Sequence, residues 1–354
     1  MPEQTPQVPT FTDRLLSFMA LPTETDPKVN MVLLGSGSSI EAGYPGGSDL
    51  DRIFREAGLR VYSEIATATL PAERPDVERV LRVMEHLAEY QADSLAHDLS
   101  MLGITLGKLS MYGNTPEQLA DRCAAEVHAI LQLLRKNLWK RWPLPPLKEP
   151  AKAQKWDYLK PMIKALRGST IATLNYDNSI ELAGWPSMVS TVRKKSNLVE
   201  IPEVGFKSAR LLKLHGSLDW QRAEDDVLRN AAPLDDYDYE PGIIFGSGNK
   251  LRSYGPFLEL LRNFHDSLAA ATRLVVIGYS WRDPHINAEI HRWAKAGTPK
   301  TLYVGLLEGQ SLAQPVTDMQ RQYSNLTVER RIGPASKVIA RLFPDTGSTS
   351  GGTT

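Results

Sequence analysis

The stretch Val29-Asn30-Met31-Val32-Leu33-Leu34-Gly35-Ser36-Gly37-Ser38-Ser39-Ile40-Glu41-Ala42-Gly43-Tyr44-Pro45 decides the fold. Its first six residues are mostly apolar and partly β-branched, and they stop abruptly at a glycine, which marks a short buried strand. Three later runs end the same way. Ser169 to Leu174 hands over to Asn175-Tyr176-Asp177, and Arg210 to Leu214 to His215-Gly216-Ser217-Leu218-Asp219-Trp220. Leu274 to Ile277 hands over to Gly278-Tyr279-Ser280-Trp281-Arg282-Asp283-Pro284-His285. Helical patterns lie between them at Ser179 to Ala183, Pro256 to Ala271 and His285 to Ala296, and Thr301 to Leu307 reads as a final core strand. Alternation of this kind predicts an α/β domain with a mostly parallel sheet.

From about Asp49 to Trp142 the pattern is helical instead. Pro75-Asp76 opens a helix whose apolar residues Val77, Val80, Leu81, Met84, Leu87 and Ala88 recur at intervals of three and four. A second helix has Thr115 as cap, Pro116 in its first turn and Gln118 closing a capping box. Cys123 falls on its apolar stripe and reads as a buried small hydrophobe. Trp142-Pro143-Leu144-Pro145-Pro146 then ends the helical region. The expected organisation is an N-terminal extension over 1–27, a core made of 28–45 plus 156–345, an inserted helical module over 46–155 and a disordered tail over 346–354. Phe11 to Ala20 is patterned as a short amphipathic helix. Arg222 to Glu240, with seven acidic residues against two basic ones, reads as a solvated loop.

Composition narrows the function classes. The 354 residues include 41 Lys+Arg and 41 Asp+Glu, a formal net charge of zero, so global charge gives no support to a nucleic-acid binder. One cysteine excludes an intramolecular disulfide and any multi-cysteine zinc site, and no histidine pair has metal-ligand spacing. No metal is expected. Met1 to Pro9 lacks the basic and apolar regions of a signal peptide, and no run approaches the ~18 apolar residues of a membrane span. The expectation is a soluble cytoplasmic protein.

In an open parallel sheet, ligands bind in the crevice beyond the carboxyl ends of the strands. If the four strands are parallel neighbours, their four terminal clusters face one crevice. Each cluster also has a plainer reading. The Gly35-Ser36-Gly37 turn is a weak signal by itself, since Ile40 stands where a GxGxxG fingerprint needs a third glycine, and no P-loop is present. Its glycines would nonetheless leave backbone N–H groups open to a diphosphate. Asn175 and Asp177 suit the cap of the helix beginning near Asn178, and His215 suits a core position. Asp283 suits either a ribose hydroxyl or the cap of the next helix.

In order, GSGSSIEAGYP, LNYD, KLHGSLDW and VVIGYSWRDPHIN resemble the motifs of the sirtuin-like domains found in bacterial anti-phage defence systems. The resemblance covers about Val29 to Pro45 and Lys160 to Leu307. Ser36 departs from the alanine usual in the loop, and Leu174 from a threonine. The protein-deacylating sirtuins carry a four-cysteine zinc module that this chain cannot form, which argues against deacylation. The resemblance implies a Rossmann-like, sirtuin-type core interrupted by the helical module. It further implies that Asn175 and His215 are the catalytic pair and that NAD, as substrate, is hydrolysed to nicotinamide and ADP-ribose. Contacts to NAD are expected from Gly35, Ser36, Gly37, Ser38, Ser39, Gly43, Tyr44, Pro45, Asp177, Gly216, Ser217, Gly278, Tyr279, Ser280 and Asp283. By the same resemblance the chain is an NAD-depleting effector of abortive infection. It would form a homo-oligomer, with a separate partner such as a ring-forming ATPase and with neither nucleic acid nor membrane. The alternative is a non-catalytic sensor of NAD or an ADP-ribose derivative, or a subunit silent without its partner.

Overall fold

The structure, a computed structural model, describes residues 31–69, 76–88, 115–139, 154–166, 168–184, 188–189, 209–222, 228–230, 241–245 and 256–344. The N-terminal extension with the helix expected over 11–20, the proline-rich end of the helical region and the tail at 346–354 lie outside the described residues. So does most of the acidic stretch between 222 and 240.

Seven parallel strands form the main sheet. They are β1 (Met31–Leu34), β2 (Thr170–Thr173), β3 (Met188–Val189), β4 (Ala209–Lys213), β8 (Arg273–Ile277), β9 (Lys300–Leu306) and β10 (Leu326–Ile332), in the spatial order β10-β9-β8-β1-β2-β4-β3. β1 sits at the centre. Val32 lies opposite Ile171 on one side and Val275 on the other, and the four residues Met31 to Leu34 are all fully buried. Strands buried on both faces read as continuous apolar runs, which is why this segment was legible.

The period of two divides that run between two cores. Val32, Leu34, Ile171, Leu211, Val275 and Ile277 face one apolar cluster, whereas Met31, Leu33, Ala172, Leu212, Leu274 and Val276 face another. The first cluster is filled by α1 (Gly47–Glu56), α2 (Arg60–Thr69), α3 (Val77–Ala88) and α4 (Pro116–Leu138), through Phe54, Tyr62, Val80, Leu81, Met84 and Leu134 among others. The helical block thus packs directly on the sheet. Also on this side are α5 (Lys160–Ala165), α6 (Ser179–Gly184) and, at the far end of the chain, α10 (Ala335–Leu342). The second cluster is closed by α7 (Phe257–Ala270), α8 (Pro284–Lys295) and α9 (Gln314–Gln322). Thr115 caps α4 as expected, its hydroxyl accepting from the Gln118 N–H at 3.3 Å.

Two sequence expectations need correction. Thr301 to Leu307 is not the final strand, because β10 continues the sheet in parallel register beside β9. As an edge strand, β10 carries Thr327, Glu329, Arg330 and Arg331, and these dilute the apolar signal while blunting an exposed edge. The stretch Arg222 to Glu240 is also not simply a loop. Gly216–Arg222 forms β5, which pairs antiparallel with β6 (Leu228–Asn230) and β7 (Pro241–Ile243) in a small second sheet. Residues 228–230 lie inside the acidic stretch read as a loop, so that stretch contributes a strand.

Cys123 lies fully buried on α4, and burial, with Glu126 adding to it, pushes its thiol up to about 12. A thiol reagent at pH 8 is expected to leave Cys123 unmodified in the native chain and to titrate one thiol after denaturation. Rapid native labelling would contradict this packing.

Candidate functional site

β8, β1, β2 and β4 are consecutive parallel neighbours, so their carboxyl ends open on one side of the sheet. The chain leaves β1 toward β2 and later returns on the other flank as β8. This makes the β1/β8 boundary a topological switch point. A cavity of about 570 Å³ lies there, within the range of roughly 300–1,000 Å³ usual for ligand sites.

Of the residues expected from sequence to meet the ligand, Gly35, Ser36, Ser39, Tyr44, Pro45, Asn175, Asp177 and His215 line this cavity, as do Gly278, Tyr279, Ser280 and Asp283. Five do not. Ser38 is buried and spends its hydroxyl on the Gly35 carbonyl at 2.7 Å. Gly43 is a turn residue at φ 78°, and Ser217 is fully buried. Gly216, at φ 86°, lets β5 start where a side chain would meet the Gly242 carbonyl. Gly37 packs on Gly278 rather than on the cavity, and a Cβ there would fall 2.8 Å from the Gly278 Cα.

The glycine-rich loop therefore works differently from the sequence expectation. Its N–H groups are largely committed within the chain. Gly35 donates to Ile277 O, Gly37 to Gly278 O, Ser38 to Gly35 O and Ser39 to Ser36 O, all within 3.1 Å. Among the described residues, the Ser36 N–H is the one of these five left for a ligand. The glycines serve backbone-to-backbone approach: a Cβ on Gly278, itself at φ 69°, would lie 2.1 Å from Ser38 N.

Asn175 ties this loop to β2. Its Nδ2 donates to Gly35 O at 3.1 Å and to Ser39 Oγ at 3.0 Å, with Ser38 Oγ at 3.4 Å. Its own N–H donates to Thr173 Oγ1 at 3.1 Å. The acceptor end of the amide, Oδ1, makes no hydrogen bond among the described residues and is the end available to a ligand. Asp177 does cap α6, its Oδ1 accepting from the Ser179 N–H at 2.9 Å. The neighbouring Asn178 accepts from the Tyr44 hydroxyl at 2.8 Å. Burial, with the charge of Asp177 second, holds that hydroxyl well above the ordinary tyrosine range.

His215 is 2% exposed just past β4, with Nε2 3.1 Å from Asp283 Oδ2. Sequence reasoning treated the two separately and missed the pair. It also missed the helical block as a wall. Asp76, Glu78, Arg79 and Arg82 at the start of α3, and Leu134 and Leu138 on α4, line the same cavity. Asp76 reaches across to Arg282, Oδ2 to Nη1 3.8 Å, joining α3 to the loop after β8. Tyr176 lies beside His215, ring centroids 6.3 Å apart, and donates to Ile244 O at 3.1 Å. No motif marks the α3 residues; a period-3.6 pattern identifies only the face that packs. Among the described residues no group of histidine, cysteine and acidic side chains gathers to hold a metal ion, and no helix is long and apolar enough to cross a membrane.

Residues 169–327 match the family model of the SIR2-like domain, a span running from the start of β2 into β10. No curated protein matches the chain in sequence. Similar solved structures include a Sir2 homologue in complex with NAD, 14% identical over 94% of this chain and 93% of that one, with a TM-score of 0.45. Another comes from work on sirtuin substrate affinity, 13% identical over 96% and 100% of the two chains, with a TM-score of 0.43. A third concerns the mechanism and regulation of Sir2 enzymes, 13% identical over 88% and 90%, with a TM-score of 0.41.

Two substitutions test this construction. Gly278→Ala puts a side chain into both a left-handed backbone and the Ser38 amide, and is expected to cost about 2–4 kcal/mol in denaturant unfolding. Lys213, 2% exposed, donates to Asp177 O and Glu181 Oε1, both at 2.7 Å. Burial raises the Glu181 carboxyl, against the opposing pull of Lys213. Lys213→Met is expected to cost about 1–3 kcal/mol, a value discounted because Glu181 is partly exposed. Adding Glu181→Gln should restore part of that loss; no recovery in the double variant would mean that the pair is not coupled.

Proposed function

We propose that the chain hydrolyses NAD at its nicotinamide–ribose bond, giving nicotinamide, ADP-ribose and a proton. The observation that carries this reading is the convergence of Asn175, His215 and the loops after β1 and β8 on one cavity, at the ends of four adjacent parallel strands. The match of residues 169–327 to the SIR2-like domain supports it.

The chemistry asks little covalent help of the protein. The bond from the anomeric carbon to the pyridinium nitrogen breaks, and its electron pair neutralises the departing nicotinamide. The ribose is left oxocarbenium-like, and a water oxygen bonds to the anomeric carbon and gives up a proton. His215 is the group that takes this proton, since imidazole is the side chain suited to accept one near neutral pH. Asn175 orients the water or a ribose hydroxyl through Oδ1, its nitrogen being held by the loop. The Ser36 N–H, the hydroxyls of Ser36, Ser39 and Ser48, and the guanidinium groups of Arg79 and Arg82 supply donors for the diphosphate. Gly278 and Ser280 face the adenosine half.

The biological part of the proposal rests on the resemblance of the four motifs. The chain would deplete cytoplasmic NAD as the effector of an anti-phage system, held in check in a homo-oligomer and by a partner such as a ring-forming ATPase. A second reading, a sensor of NAD or an ADP-ribose derivative, has one observation in its favour. The three contacts of Asn175 Nδ2 give that residue a structural task that needs no turnover.

Incubating the purified chain with NAD and following nicotinamide by chromatography separates these readings. Turnover is expected in the wild type, reduced about a hundredfold or more by His215→Ala and by Asn175→Ala, while His215→Ala retains NAD binding by calorimetry. Binding without turnover in the wild type would favour the sensor. Absence of binding would sink both readings.

A further inference from the structure

We infer that Glu78, on the helical module, is a further catalytic residue whose carboxylate accepts a hydrogen bond from the 2′-hydroxyl of the nicotinamide-side ribose. The ligand is the one given by the hydrolase reading above, on which this assignment rests.

Four carboxylates line the cavity, those of Asp76, Glu78, Asp177 and Asp283. Three of them are held by backbone N–H groups at helix starts. Asp76 Oδ1 accepts from Arg79 at 3.2 Å, Asp177 Oδ1 from Ser179 at 2.9 Å and Asp283 Oδ1 from His285 at 3.0 Å. The half-buried Glu78 has neither an N–H nor a cationic partner among the described residues. The Tyr176 hydroxyl lies 3.5 Å from Glu78 Oε1, but it has one proton and a nearer acceptor, Ile244 O at 3.1 Å. Glu78 thus brings unspent acceptor oxygens to the cavity. Arg79, the next residue, also lines it and has no carboxylate partner among the described residues. An acidic acceptor beside a guanidinium suits a sugar hydroxyl beside a phosphate.

Packing fixes where this carboxylate sits. Val77, Val80 and Leu81 are buried and anchor α3, while Asp76 Oδ2 faces Arg282 Nη1 at 3.8 Å. The turn that carries Glu78 is thereby set against the loop after β8. On the side of β2, Tyr176 neighbours both Glu78 and His215, its ring centroid 6.3 Å from the imidazole. Burial first, and the charge of Glu78 second, hold the Tyr176 and Tyr279 hydroxyls above the ordinary tyrosine range. The carboxylate therefore belongs to the His215 end of the cavity, where the proposed reaction places the scissile ribose.

As nicotinamide departs, positive charge grows at the anomeric carbon and makes the adjacent hydroxyl a stronger donor. A carboxylate accepting from that hydroxyl holds the transition state more tightly than the substrate. Glu78 forms no bond to carbon, and the hydroxyl keeps its proton. The plainer role for Glu78 is that of an acidic residue in the first turn of a helix, favoured by the helix dipole. That role predicts a slight loss of stability on substitution and no dependence on the hydroxyls of a ligand.

The test pairs Glu78→Ala with a change in the ligand; alanine is a strong helix former, so α3 should persist. Calorimetry on the full chain compares NAD with NAD lacking the 2′-hydroxyl of the nicotinamide ribose. Losing the hydroxyl should weaken binding to the wild type about tenfold, and to E78A by no more than about twofold. Glu78→Gln keeps an acceptor but not the charge. It should bind NAD within about threefold of the wild type and hydrolyse it with a kcat lowered about thirtyfold. An equal penalty for the missing hydroxyl in wild type and E78A, or an undiminished kcat in E78Q, would each overturn the inference. A wild type that shows the expected coupling in binding but no turnover would count against the hydrolase reading, with the contact between Glu78 and the ribose intact. Absence of NAD binding would overturn both.

Discussion

Everything at this site depends on how closely two backbone turns approach at the centre of the sheet. The turns after β1 and β8 interlock with Gly278 set against Gly37 and Ser38, at a separation that leaves no room for a Cβ on either side. Two hydrogen bonds, Gly35 N to Ile277 O and Gly37 N to Gly278 O, stitch the contact. The closeness turns the loop 35–39 away from β8 and toward β2, where the Asn175 amide receives it. Three strand ends thereby become one rigid unit, and a fourth joins through the contact of His215 with Asp283 in the loop after β8. A larger side chain at Gly278 would separate not one contact but this whole series.

The same constraint shapes the candidate site. Because the loop spends its amides on its neighbours, it cannot present the ring of free N–H groups expected of a phosphate cradle. An anionic group bound there would draw on serine hydroxyls and on cations from elsewhere, and the helical block brings Arg79 and Arg82 to the cavity. Helices that fill one apolar cluster of the sheet also finish the wall of its crevice. Packing and the shape of the cavity are thus coupled through α3, whose Val80, Leu81 and Met84 face the core while its first turns face the cavity. The Asp76–Arg282 pair is partly exposed, so it adds little stability in itself. Its interest is that it spans the cavity between module and core.

What was legible in the sequence was whatever had a short-range cause. The central strands were apolar because both faces are buried, and each ended where a polar turn began. Their convergence followed from parallel neighbours. What escaped had causes at long range. β10 was masked by Glu329, Arg330 and Arg331 on an exposed edge, and β5 by Gly216 and Ser217, which were read as part of a ligand-facing cluster. Gly37 was singled out as a ligand contact, whereas its close neighbour is Gly278, which itself also lines the cavity. Asp283 was read as either cap or ligand contact, because nothing local indicates that its second oxygen meets His215.

Asn175 shows why reading the residue type was not enough. An amide offers a donor and an acceptor, and from sequence either end could serve the chemistry. The fold assigns the donor to Gly35 O and Ser39 Oγ, which leaves only the acceptor for the cavity. Any catalytic part it plays is therefore as an acceptor of hydrogen bonds from water or a ribose hydroxyl, not as a donor to a developing negative charge. That division suits a reaction in which positive charge develops on the ribose, because an amide oxygen is the end of the dipole that such a charge attracts. Loop position and catalytic orientation then form one variable. Anything that shifts the turn after β1 rotates the amide that holds it, and with it the oxygen at its other end.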